Sequence, residues 1–124
     1  MVANAVAVFF GGALGALSRF LFSEFLPMSK WGIPFTIMFV NFSGCFVMGA
    51  LDSFFENQGA GPGAKHFLMI GFLGGFTTFS AFSLEFANLM KNNGLAISAV
   101  YVVLSVFTAL FGFFAGYMLV KAFK

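Results

Sequence analysis

The chain has 124 residues, 60% of them apolar and only 8% charged, with a formal net charge of +2 and a mean hydropathy of +1.00. Soluble domains carry about a quarter charged residues, so this chain cannot cover a water-facing surface and its natural solvent is a bilayer. The length suits one domain, residues 1–124.

The charges punctuate four runs: residues 1–18, 31–51, 67–84 and 95–120 contain no Asp, Glu, Lys or Arg. A spanning helix needs about 20 mostly apolar residues, so four spans are predicted. Backbone polar groups in hydrocarbon must be satisfied within the segment, which makes these runs helices. A β-barrel would show alternating polarity, and these runs are apolar all round.

The first run opens on Met1-Val2-Ala3-Asn4, without the basic start of a signal peptide, and continues past Arg19 to Phe25. It is predicted to be a retained span. Gly11 and Gly15 are one helical turn apart, as are Gly71 and Gly75, and Gly112 and Gly116. This spacing suits close helix packing. The first connection runs through Pro27, Ser29 and Lys30, and Lys30 and Trp31 lie where interfacial anchors are expected.

In the second span, Asn41 lies near mid-depth. Its amide must bond to a neighbouring helix or to a passing ligand, and on this residue alone interhelical bonding is the ordinary reading. Cys45 is the sole cysteine, which excludes an intrachain disulfide and reads as a small packed apolar side chain. The longest connection runs from Asp52 to Lys65 around a glycine-rich turn at 59–64. His66 stands alone at a span end, with no cluster around it to suggest a metal site.

The third span is the most informative. Gly74-Gly75-Phe76-Thr77-Thr78 places two glycines and two β-branched residues at mid-depth, where they weaken an α-helix. The stretch 67–90 is also longer than a straight crossing requires, so a helix broken at its centre is expected. Freed carbonyls at such a break can hold a cation, and a half-helix N-terminus can face an anion. A plain glycine kink is the competing account. Phe79 and Phe82 share a helix face, with Thr78, Ser80 and Ser83 among them. Ring edges carry positive charge and hydroxyls donate, so this face could contact an anion.

The fourth span carries Tyr101, Ser105 and Thr108 on one face. Hydroxyls can back-bond to their own helix, or this stripe can serve as a line of donors. Arg19 and Glu85 are the charges furthest inside their spans, at ends that share one side of the membrane. Two readings stand open: they pair, or Arg19 snorkels into an aqueous vestibule and attracts anions.

Four spans put both termini on one side with Lys65, Lys121 and Lys124, against Arg19, Lys30 and Lys91 on the other. Three against three gives no positive-inside preference. Copies inserted both ways up, forming an antiparallel homodimer, would carry this balance.

Three stretches resemble the fluoride-specific ion channel family (Fluc, also called CrcB). Gly11 to Phe20 is similar to that family's glycine-rich first helix ending in Arg. Val40-Asn41-Phe42-Ser43-Gly44 resembles its Val-Asn-x-x-Gly. Gly71 to Ser83 looks like its signature, usually Gly-Gly-Leu-Thr-Thr-Phe-Ser-Thr-Phe. Together they lie in order across nearly the whole chain. The departures are Phe76 for Leu, Ala81 for Thr, a hydroxyl at Thr36 one place from its usual position so that Ile37 stands there, and Ala109 where many members have Ser.

The resemblance implies an all-α membrane protein, an antiparallel dual-topology homodimer with two pores, in the bacterial plasma (inner) membrane. It implies that Phe79 and Phe82 line the fluoride path and that Asn41 donates to the ion. Ser80, Ser83, Tyr101 and Ser105 fall on the polar path, and Arg19 in the vestibule. Gly74 and Thr77 match positions whose carbonyls hold a structural sodium ion. The implied partners are fluoride, lipid and a second copy, with no nucleic acid, and the implied role is passive fluoride efflux that relieves toxicity.

No nucleophile, base or metal cluster suggests an enzyme. The main rival, a small multidrug transporter of similar length, needs a carboxylate deep in its first helix, and this first helix has none. A non-transporting membrane subunit is the third reading.

Overall fold

The computed structural model describes the backbone of residues 1–124 and every side chain except that of Asn57. Helix α1 (Val2–Phe25) is followed by a two-stranded hairpin, β1 (Ser29–Lys30) and β2 (Ile33–Pro34), and then by α2 (Thr36–Gln58). The third hydrophobic stretch is composite: α3 (Pro62–Lys65), a π-helical segment π1 (His66–Leu73), α4 (Gly74–Phe76) and α5 (Phe79–Asn93). Helix α6 (Leu95–Ala122) completes the chain. Among the described residues, four stretches are long and apolar enough to cross a membrane: Val2–Phe25, Thr36–Glu56, Pro62–Asn93 and Leu95–Ala122.

The helices pack mainly in two seams. Helix α1 runs along π1 and α4, while α2 runs along α6, and α5 rests on α6. Glycines let the backbones touch. A Cβ on Gly71 would fall 3.0 Å from Gly11 Cα, and one on Gly112 would fall 2.8 Å from the Phe42 carbonyl oxygen. In lipid, where apolar surface has nothing to gain by hiding from other apolar surface, such close backbone packing is what holds helices together. The π winding of residues 66–73 was not expected from the sequence. Its hydrogen bonds reach one residue further than in an α-helix, and such segments often sit beside functional sites.

The connection after α1 is more ordered than its composition suggested. Strand register pairs Ser29 with Pro34 and Lys30 with Ile33. The two turn residues, Trp31 (φ 53°) and Gly32 (φ 78°), both have positive φ, the requirement of a tight type I′ hairpin. Thr36 Oγ1 accepts from the Met28 N–H at 2.7 Å and ties the hairpin to the start of α2. A cluster of Ile33, Ile37, Met38, Phe82, Leu89 and Tyr101 packs beneath it. Gly32→Val is expected to destabilise the detergent-solubilised protein by about 1–2 kcal/mol through left-handed backbone strain, read as a lower melting temperature. Its Cβ would also meet Asn93 Nδ2 at 3.1 Å.

Candidate functional site

The helix of the third span stops at Phe76 and restarts at Phe79. Thr77 (φ −74°, ψ 153°) and Thr78 (φ −151°, ψ 125°) between them are extended. Extended residues inside an apolar bundle expose backbone groups that need partners. Side chains supply three of these partners, while the Thr77 N–H goes to the Leu73 carbonyl at 2.9 Å. Arg19 Nη1 donates to the Thr77 carbonyl at 3.3 Å. Asn41 clasps Thr78 from both sides: its Nδ2 donates to the Thr78 carbonyl at 2.9 Å, and its Oδ1 accepts from the Thr78 N–H at 2.8 Å. Thr77 Oγ1 donates back to the Leu73 carbonyl at 2.8 Å, and Thr78 Oγ1 caps α5 by accepting from the Ala81 N–H at 3.1 Å.

Two cavities flank this interruption, and Thr78 lines both. The first, about 450 Å³, is lined by Asn41, Gly74, Thr77, Phe79, Phe82 and Ser105 among others. The second, about 520 Å³, is lined by Arg19, Ser23, Ser80 and Leu84. The residues singled out in the sequence therefore divide. Ser80 stands with Arg19 on the second cavity, its hydroxyl 3.1 Å from Thr78 Oγ1. Ser83 Oγ donates to the Phe79 carbonyl at 2.9 Å, within its own helix.

The two rings differ sharply in environment. Phe79 is 76% exposed and Phe82 only 8%, although their centroids are 5.1 Å apart. Phe82 stacks on Tyr101 at 5.4 Å. Tyr101 is fully buried, and its hydroxyl donates to Glu85 Oε2. Arg19 and Glu85 thus have different partners and no ion pair forms between them.

The stripe on α6 also separates into three fates. Tyr101 serves Glu85, and Thr108 Oγ1 donates to the Leu104 carbonyl at 2.6 Å. Ser105 Oγ is buried without a hydrogen-bond partner among the described residues. A buried hydroxyl with an unused donor on a cavity wall is a ready contact for an anion or water. The Glu85–Tyr101 contact was not foreseen, although Glu85 is the one carboxylate well inside the third span. The Thr78 backbone as the partner of Asn41 also gave no sequence signal.

A family profile described as "CrcB-like protein, Camphor Resistance (CrcB)" matches residues 6–117. The chain belongs to this family. Among curated relatives, the fluoride-specific ion channel FluC of Rhodopseudomonas palustris (strain BisB5) is 42% identical over 93% of this chain and 94% of its own length. The FluC of Campylobacter jejuni subsp. jejuni serotype O:23/36 (strain 81-176) is 38% identical over 98% of this chain and 100% of its own. That of Rhodospirillum centenum (strain ATCC 51521 / SW) is 40% identical, covering 94% of each. With its four apolar spans, this CrcB-family chain is a multi-pass membrane protein, and it is not an enzyme. The family match covers the residues of both cavities and of the interruption between them.

Proposed function

We propose that the chain is a fluoride-selective channel that lets fluoride leave the cell passively and so lowers its toxicity. The observation that carries this reading is the interruption at Thr77–Thr78, clasped by Asn41 between two cavities, in a chain whose curated relatives are named fluoride-specific ion channels. Fluoride is small and strongly hydrated, and a pore must replace its water with oriented donors. Ser105 Oγ has no hydrogen-bond partner among the described residues, Asn41 keeps one amide hydrogen beyond its bond to Thr78, and the edges of Phe79 and Phe82 carry positive charge. Arg19 on the second cavity draws anions toward the interruption. Ser80 is assigned to the path on the second cavity beside Arg19, whereas the Ser83 and Tyr101 hydroxyls are engaged by the Phe79 carbonyl and by Glu85 and support the path from behind.

The working unit is an antiparallel dual-topology homodimer with two pores in the bacterial plasma membrane. The even split of Lys and Arg between the two sides supports dual insertion. The 76% exposure of Phe79 supports a second copy closing the path, since a single copy leaves this ring open on one side. A structural sodium ion is assigned to the carbonyls of Gly74 and Thr77, the second of which also accepts from Arg19 Nη1 at 3.3 Å. The Thr78 N–H that a continuous helix would give to Gly74 goes to Asn41 instead, and the extended ψ of Thr77 turns its carbonyl away from the helical ladder. Unwound carbonyls of this kind suit an alkali cation, which would supply fixed positive charge and hold the copies together.

The test is fluoride efflux from liposomes containing purified protein, with chloride as control. Rapid efflux of fluoride over chloride is expected, with Phe79→Ile and Phe82→Ile each losing about tenfold or more, the scale of one displaced contact in a barrier. Equal chloride flux, or none for either ion, would sink the assignment.

A further inference from the structure

Cys45 lies one helical turn beyond Asn41 on α2 and lines the same cavity as Asn41, Phe79, Phe82 and Ser105. It is a free thiol and only partly buried. Ser105 on that cavity is 7% exposed, and its hydroxyl oxygen has no partner among the described residues. A hydroxyl withdrawn from bulk water in this way calls for a guest that can hydrogen-bond to it, either water or an anion. A thiol that opens on a solvated cavity meets small solutes, whereas one packed among apolar side chains stays inert. Ala109, on the same wall, offers no donor, so the Cys45 S–H adds to a short set of donors there.

We propose that Cys45 lines the ion path and is a modification site for small, neutral, thiol-directed electrophiles, which close the channel. This rests on reading the cavity as that path. With S-methyl methanethiosulfonate as reagent, the Cys45 sulfur attacks the sulfenyl sulfur and a new S–S bond forms. The reagent's S–SO₂ bond breaks, methanesulfinate leaves with the electron pair, and the thiol proton passes to buffer. One S–H donor is lost and an apolar S–CH₃ group enters a cavity in which a dehydrated anion needs donors.

The experiment treats the reconstituted full-length protein with S-methyl methanethiosulfonate, scores the adduct by intact mass, and compares fluoride efflux with the same preparation untreated. Cys45→Ala is treated in parallel and compared with its own untreated flux. Modification is expected to slow efflux by about tenfold or more, as the loss of one donor to a desolvated ion would. Dithiothreitol should restore the flux, and Cys45→Ala should not respond. Full modification with undiminished efflux overturns the inference while leaving the channel reading in place. A thiol that stays unmodified overturns it as well, as does a modified protein that has lost its native elution volume. An untreated protein that conducts no fluoride sinks the channel reading and this inference with it.

Discussion

Asn41→Ala is expected to slow fluoride efflux by about a hundredfold, the rate change set by ~2.7 kcal/mol in a barrier. The Asn41 amide bonds both backbone groups of Thr78, at 2.9 Å and 2.8 Å, as a neighbouring peptide unit would. Its removal strands a donor and an acceptor in a water-poor interior, each at a cost of about 1–3 kcal/mol. The third span can recover the loss by giving the Thr78 N–H back to Gly74 as a continuous helix, which rotates Phe79 and Phe82 out of place. Asn41→Asp sharpens the comparison. It keeps the acceptor for the Thr78 N–H, loses the donor to the Thr78 carbonyl and adds a charge that repels the anion, so it too should fail. The check is liposome efflux on variants that elute like wild type. Wild-type flux from Asn41→Ala would show that the clasp is dispensable.

The second large effect concerns the seams. A Cβ on Gly116 would lie 2.9 Å from the Phe46 carbonyl carbon and 3.1 Å from the Ala50 nitrogen. One on Gly15 would lie 2.9 Å from the Phe72 carbonyl carbon and from the Phe76 nitrogen. These neighbours are backbone atoms and cannot swing aside, so the helices must part. Overpacking of this kind costs about 1–3 kcal/mol per site, and Gly116→Val and Gly15→Val together should abolish a monodisperse peak in detergent. Gly63→Ala is the contrast, because its Cβ would meet nothing within 4 Å. A double valine variant that elutes and melts like wild type would refute the seam argument.

The four spans were legible because hydrophobic length belongs to the sequence: the charge-free runs lie almost wholly within the four observed apolar stretches. The glycine pairs were legible for a similar reason. Spacing by four marks one helix face, and Gly11 and Gly71 do approach each other backbone to backbone. Partners across space were not. Periodicity places Asn41 at depth but does not say that it meets Thr78, which lies 37 residues away. Likewise it places Glu85 and Tyr101 on different helices without showing that they touch. Local conformation against propensity was also hidden. Trp31 sits at φ 53°, a value unusual for a bulky residue, because the hairpin demands it. The π winding of residues 66–73 leaves no mark in an almost uniformly apolar segment.

The Asn41–Thr78 clasp also dictates an order of assembly. A segment entering the bilayer alone can satisfy its backbone only as an unbroken helix. The third stretch, 32 residues long, would therefore enter unbroken, longer than the bilayer needs, and tilt to fit. The gap at Thr77–Thr78 opens only when α1 and α2 arrive with Arg19 and Asn41 to receive its backbone. The interruption is then the last feature of the fold to form, and a chain stalled before docking keeps an unbroken third helix.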